Sequence, residues 1–81
     1  MWYGGAGKKR DTAEPAIVAI LKSVGCEVWR INGSGLPDLL VRRRGVLYAF
    51  EVKTGKAKLR ASQGAFPVVR TPEEALKAIQ F

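Results

Sequence analysis

The stretch from residue 35 to residue 53 reads GLPDLLVRRRGVLYAFEVK and decides the fold that the sequence predicts. Two apolar runs flank a basic turn at Gly45, a pattern typical of a β-hairpin. The second run, residues 46–53, is long and apolar, so we expect it to lie in the centre of the sheet. Because strand side chains alternate, Glu51 and Lys53 should share one face of that strand, with Phe50 and Val52 on the other.

A helix is predicted before the hairpin. Thr12 can cap it, Pro15 suits its first turn, and Gly25 is expected to end it. Within this helix Glu14 lies on the same stripe as the apolar residues, which is an unusual place for a glutamate. The alternative interpretation is a first-turn glutamate that the helix dipole favours.

Two further strands and a second helix complete the predicted order. Residues 26–31 form one strand and residues 65–69 a short one, where Pro67 indicates an edge or a bulge. Residues 54–64 are polar and predict a loop, and Thr71-Pro72-Glu73-Glu74 is a clear helix start. Trp29 and Tyr48 are expected in the core. The fold class is therefore α/β, a small mixed sheet flanked by helices in the order α-β-β-β-β-α, with one domain at residues 12–81 behind a flexible basic arm at residues 1–11.

The amino-acid composition limits the kinds of catalytic and metal site that the chain can form. The 81 residues are 47% hydrophobic, so the chain can form one small folded domain. Histidine is absent and Cys26 is the single cysteine, which excludes an internal disulfide, His-containing zinc sites and His-based nucleophilic mechanisms. We expect Cys26 to be a small buried residue. Metal chemistry, if there is any, must use oxygen ligands from the carboxylates.

The net charge of +7 and the pI near 10.1 indicate a polyanionic partner. Nucleic acid is the leading candidate, and a membrane surface is the rival. No apolar run approaches the roughly 20 residues of a membrane-spanning helix, and the N-terminus does not resemble a secretory signal, so we expect a cytoplasmic protein without a membrane partner. The basic residues are predicted to contact phosphates, the alternative being that they only keep the domain soluble; they are Lys8, Lys9, Arg10, Arg42, Arg43, Arg44, Lys56, Lys58 and Arg60.

A candidate catalytic site lies at one end of the hairpin. Asp38 opens one strand, and Glu51 and Lys53 lie near the end of its neighbour. Mg²⁺ prefers one or two carboxylates, with water and phosphate oxygens completing its shell, which Asp38 and Glu51 can supply. If the reaction is cleavage of a phosphodiester, Lys53 can hold the attacking water or offset the charge of the transition state. The Val52 carbonyl is available as a further oxygen ligand.

These residues resemble the PD-(D/E)XK nuclease superfamily, specifically its VRR-NUC and Holliday-junction-resolvase-like branch. The resemblance rests on Glu14, Gly35-Leu36-Pro37-Asp38, Glu51-x-Lys53 and Gln63, and extends from Glu14 to about Ala78. It implies a minimal restriction-endonuclease-like core and an endonuclease that depends on Mg²⁺ or Mn²⁺, cuts DNA at branched structures and leaves 5′-phosphate ends. The implied metal ligands are Asp38, Glu51 and the Val52 carbonyl. Lys53 would be catalytic, Glu14 a carboxylate of the outer shell or of a second metal, and Gln63 a contact to water or phosphate.

The chain departs from this family after Gln63, where only two residues separate it from Phe66 and the last strand. Family members usually have a full helix here that covers the sheet. We therefore expect a homodimer, with exchanged elements as one form of it, to bury the open face. Two other functions stay open: a nucleic-acid-binding module that keeps the fold but cuts poorly, and a basic structural protein that uses Asp38 and Glu51 only for ion pairs.

Overall fold

The computed structural model describes residues 12–33, 35–55 and 66–81 and contains a four-stranded mixed sheet. Its strands lie in the order β1-β2-β3-β4, with β1, β2 and β3 antiparallel and β4 parallel to β3. This confirms the predicted α/β class and element order, and it places the strand after Pro67 at an edge. None of the helices described here is long and apolar enough to cross a membrane. The elements are α1 (Glu14–Ser23), β1 (Glu27–Arg30), β2 (Leu39–Arg43), β3 (Val46–Val52), β4 (Val68–Val69) and α2 (Pro72–Ala78).

The hairpin of β2 and β3 closes through the two residues Arg44 and Gly45, as the sequence predicts. Both have positive φ angles, 52° and 80°. A two-residue turn of this kind matches the twist of the paired strands, and glycine adopts it without steric cost. The register sets Leu39 opposite Phe50, so the start of β2 lies beside the end of β3.

Both described helices pack on one face of the sheet, which we call the core face. The hydroxyl of Tyr48 on β3 donates a hydrogen bond to the Ile79 carbonyl just beyond α2 (3.3 Å), and Tyr48 is half-buried against the core, as expected. Burial of these apolar side chains is the main favourable term in folding so small a domain. The fully buried apolar side chains on this side include Ile17, Leu21, Leu39, Val41, Phe50, Val52, Ala75 and Ile79.

The opposite face of the sheet, which we call the open face, carries exposed apolar side chains. Trp29 is 44% exposed and Leu47 is 59% exposed. The prediction that Trp29 fills the core is therefore wrong. Val28 packs against the core, and alternation along β1 turns the neighbouring Trp29 to the other side. There the Arg42 guanidinium lies 5.8 Å from the centroid of the Trp29 ring.

The N-terminus of α1 differs from the prediction because Thr12 does not cap it. The N-cap residue is Ala13, and no local side chain caps the helix. Instead, the Ala13 N–H donates to Oγ1 of Thr54 (3.2 Å), and the Thr12 hydroxyl donates to the same oxygen (3.3 Å). The other end agrees with the prediction, since the chain leaves the helix at Gly25 with φ of +93°, which glycine tolerates.

Helix α2 begins as predicted at a Thr71 cap, whose Oγ1 accepts the Glu74 N–H at 3.1 Å. We expect Thr71→Ala to lower the free energy of unfolding by about 1 kcal/mol, because an N–H at the helix start loses its acceptor. Thr71→Ser retains the acceptor and should stay close to the wild type. Urea unfolding measures both, and equal midpoints for the two variants would contradict the capping role.

Candidate active site

Three carboxylates are buried in the described part of the chain. Glu14 is 2% exposed, Asp38 4% and Glu51 2%, and no other polar or charged residue described there is buried. Acidic side chains are rarely buried, because removing a carboxylate from water costs several kcal/mol unless partners compensate for it. The burial of these three side chains therefore distinguishes them from ordinary carboxylates on a protein surface. The sequence singled out these same residues, and the predicted inward position of Glu14 is confirmed.

Asp38 holds the start of β2 against the end of β3. Its Oδ2 accepts the Val52 N–H at 2.9 Å, and its own N–H donates to the Phe50 carbonyl at 3.0 Å. The Val52 nitrogen belongs to the peptide group that joins Glu51 to Val52. The Asp38 carboxylate therefore lies directly against the backbone of the Glu51-x-Lys53 motif.

Strand β4 fixes the other side of this motif. The N–H of Glu51 donates to the Pro67 carbonyl (2.8 Å), and the N–H of Lys53 donates to the Val69 carbonyl (3.2 Å). Backbone groups of successive residues alternate in direction along a strand, so the Val52 N–H and carbonyl point towards β2. Asp38 accepts this N–H, which leaves the Val52 carbonyl on the same side of β3 as the Asp38 carboxylate.

Glu14 forms an ion pair with Arg30, a residue that the sequence analysis did not select. Arg30 Nε lies 3.3 Å from Glu14 Oε2, and the Arg30 side chain is about half-exposed. On β1, Arg30 lies two residues after the core-facing Val28, so strand alternation already indicates that Arg30 faces α1. The pair compensates part of the cost of burying the glutamate.

Thr54 is a second residue that the sequence analysis missed. It accepts the Ala13 N–H immediately before Glu14, and it follows Lys53 directly in the chain. The contact therefore brings the start of α1 to the end of β3. Since Ala13 and Thr54 are separated by 41 residues, no local pattern in the sequence could have indicated it.

The donor set at this end of the hairpin fits a hard divalent cation. Asp38 and Glu51 offer carboxylate oxygens in a buried environment, and Val52 offers a carbonyl oxygen. Mg²⁺ commonly binds one or two carboxylates and keeps its other positions for water and phosphate oxygens. Among residues 12–33, 35–55 and 66–81, no group of three or more Asp, Glu or Cys side chains could hold one metal ion. The donors that these residues could offer a cation are therefore two carboxylates and one carbonyl oxygen.

The predicted phosphate contacts on the hairpin lie away from these carboxylates. Arg42 pairs with Glu27 on the open face, and the Arg43 guanidinium lies 5.0 Å from the centroid of the Phe81 ring. Arg44 is exposed at the turn. Six residues of strand at about 3.3 Å each separate Arg44 from Asp38 by about 20 Å. Other predicted site residues lie outside the described part of the chain; they are Lys8, Lys9, Arg10, Lys56, Lys58, Arg60 and Gln63.

Cys26 is buried beside the core. Burial raises the pKa of its thiol, and the positive charge of Arg43 opposes that rise in part. A thiol with a raised pKa stays protonated at neutral pH and is a poor nucleophile. This agrees with the predicted packing role.

The fold indicates a class of protein. A four-stranded mixed sheet with two helices packed on its core face is consistent with a restriction-endonuclease-like core. A family model described as archaeal Holliday junction resolvase (hjc) matches residues 6–74, and the chain belongs to this family of nucleases that act on DNA. No curated protein and no solved structure matches the chain. The resolvase part of the resemblance is thereby confirmed.

Two substitutions test the contact between Asp38 and Val52. Both Asp38→Ala and Asp38→Asn remove the buried charge, but only asparagine keeps an oxygen that can accept the Val52 N–H. We expect the alanine variant to be less stable than the asparagine variant by about 1–3 kcal/mol, the cost of a buried N–H without an acceptor. Urea unfolding of the two proteins measures the difference. Equal stabilities would show that the bond does not hold the two strands.

Proposed function

We propose that this protein is a Mg²⁺- or Mn²⁺-dependent endonuclease that hydrolyses phosphodiester bonds in branched DNA, such as a four-way junction, and leaves 5′-phosphate ends. The observation that carries the proposal is the 2.9 Å contact from the Asp38 carboxylate to the Val52 N–H, inside the Glu51-x-Lys53 motif. The family match supports DNA as the substrate class. As part of the same proposal, the protein belongs to the VRR-NUC branch of these nucleases and is located in the cytoplasm.

In this proposal the ligands from the protein are the carboxylates of Asp38 and Glu51 and the carbonyl of Val52. A cation bound there would offset the negative charge of the phosphate oxygens. Lys53 follows two residues after Glu51 on the same strand face, so its ammonium group can orient the attacking water or balance charge on the phosphate in the transition state. Gln63 is proposed to contact the water or the scissile phosphate.

Glu14 and Arg30 are proposed to act together beside the metal ligands. The half-exposed Arg30 guanidinium has donors beyond the one that meets Glu14, and these can bind a phosphate of the substrate. The buried Glu14 carboxylate would hold the guanidinium in place, in the outer shell of the metal site. Arg44 and the other basic residues that the sequence analysis selected as phosphate contacts are proposed to bind phosphates further along the DNA.

Cleavage of labelled DNA tests the proposal. With Mg²⁺ or Mn²⁺, we expect the protein to cut a four-way junction in preference to linear DNA. Glu51→Gln and Lys53→Met should each lower the cleavage rate by about 100-fold or more, because each removes a group that stabilises the transition state. Binding of the junction should change only a few-fold, since phosphate contacts elsewhere supply most of the affinity.

Glu73→Gln and Lys77→Met are the matched controls, because they make the same charge changes at exposed residues outside the site. They should cut at the wild-type rate. A wild-type protein that binds the junction but shows no metal-dependent cleavage would indicate the binding module instead. Calorimetry that detects no metal binding would favour the purely structural protein.

We also propose that the protein works as a homodimer, with exchange of elements as one possible form. The exposed Trp29 and Leu47 on the open face support this, because an apolar sheet face gains stability when a second copy covers it. A twofold dimer would also carry two symmetric sites, which suits paired incisions across a four-way junction.

Sedimentation at micromolar concentration tests the dimer. We expect a dimer for the wild type and a monomer for Leu47→Lys, because a buried lysine at the contact would lose its solvation. Leu36→Lys is the control, since Leu36 is also exposed (48%) but lies in the turn before Asp38. It should remain dimeric. A monomeric wild type would refute the proposal.

A further inference from the structure

We propose that Thr54 is a positioning residue, whose hydroxyl sets the place of Glu14 relative to Glu51 and Lys53; the inference rests on the function proposed above. Oγ1 of Thr54 accepts the Ala13 N–H at 3.2 Å and the Thr12 hydroxyl at 3.3 Å. These bonds join the segment after β3 to the segment before α1. Neither Ala13 nor Thr54 belongs to a motif that the sequence analysis selected.

The contact matters because α1 has no local cap. The first N–H groups of a helix lack partners within the helix and need acceptors from elsewhere. A side chain of the preceding residues usually supplies one, but here no local side chain does. Thr54 accepts the N–H of the N-cap residue Ala13 in its place. The start of α1 is therefore fixed with reference to β3 and not only to its own sequence.

Each partner in this bond is covalently next to a proposed active-site residue. Ala13 precedes Glu14, and Thr54 follows Lys53. The hydrogen bond thus closes a short path between the buried glutamate of α1 and the motif on β3. Because a misplacement of about 1 Å can lower an enzymatic rate by about 100-fold, the length of this path bears directly on activity.

A second contact holds the same end of α1 from another strand. The ion pair of Glu14 with Arg30 connects α1 to β1, whereas Thr54 connects it to the end of β3. With both contacts in place, the start of the helix is held at two points. Loss of the Thr54 hydroxyl removes one of these two contacts and keeps the other, so the position of Glu14 relative to the motif on β3 should change.

The test compares Thr54→Val, which removes the hydroxyl at similar size, with Thr54→Ser, which keeps it. Thr12→Val is the matched control, because it removes a hydroxyl from the same cluster but leaves the bond from Ala13 to Thr54 intact. Nuclear magnetic resonance reports hydrogen exchange of the Ala13 amide and the frequency of the Arg30 Nε–H, which senses the Glu14 carboxylate. Junction cleavage at saturating DNA and junction binding are measured on the same proteins.

For Thr54→Val we expect Ala13 exchange to be about tenfold faster, as the loss of one hydrogen bond implies, and a shift of the Arg30 Nε–H resonance. The cleavage rate at saturating DNA should fall by about 10- to 100-fold while binding of the junction changes less than about twofold. Thr54→Ser and Thr12→Val should resemble the wild type in every measurement. If Thr54→Val does not fold, Ala13→Pro removes the N–H donor of the same hydrogen bond instead. The φ angle of Ala13, −74°, is one that proline adopts.

Two results would overturn the inference. One is wild-type cleavage by Thr54→Val, and the other is a defect in Thr54→Ser as large as that in Thr54→Val. A wild-type protein that does not cut at all defeats the proposed function, and the resonance data then decide the role of Thr54 separately. In that case unchanged Arg30 and Ala13 signals in Thr54→Val overturn the inference, and changed signals support it.

Discussion

The hydrogen bond from the Val52 N–H to the Asp38 carboxylate is the contact on which both the fold and the site depend. A buried carboxylate is unfavourable unless donors surround it, and a backbone N–H is a rigid donor that forms a strong bond with an ionised acceptor. The bond lies just before the start of β2 and at the end of β3, where regular pairing of the two strands stops. The contact that joins the two strands at the end opposite the turn also sets a carboxylate against Glu51-x-Lys53.

Much of this arrangement was predictable because it follows from two periodicities, the alternation of side chains along a strand and the 3.6-residue turn of a helix. Strand alternation placed Phe50 and Val52 together on one face of β3, which is the core face, and the 3.6-residue period of the helix correctly turned Glu14 inward. The cap at Thr71 was predictable for a different reason, since its donor lies only three residues away. Features that depend on neighbours in sequence are therefore well predicted here.

The features that sequence could not predict depend on contacts over long separations. Thr54 replaces Thr12 at the start of α1 because tertiary structure brings a better-placed oxygen to the Ala13 N–H. Alternation can assign Trp29 to a face but cannot say whether that face is covered, and this is why the core prediction for it was wrong. Arg42 was selected only as a positive charge, and its pairing with Glu27 required knowledge of the register of β1 and β2.

Charge is distributed unevenly in this domain, and the distribution links stability with the proposed function. The chain has a net charge of +7, yet three of the six acidic side chains that the structure describes are buried, where water cannot screen them. A domain of this size has only a few kcal/mol of net stability. The free-energy cost of burying Glu14, Asp38 and Glu51 is therefore large compared with that net stability. Ligands that bind the folded state alone stabilise it by mass action. A divalent cation at Asp38 and Glu51, and a phosphate at Arg30, would each reduce the electrostatic cost that the free protein carries. On this argument the residues whose burial weakens the domain are those that we propose to bind the substrate and its metal, so binding would recover part of the stability that their burial costs.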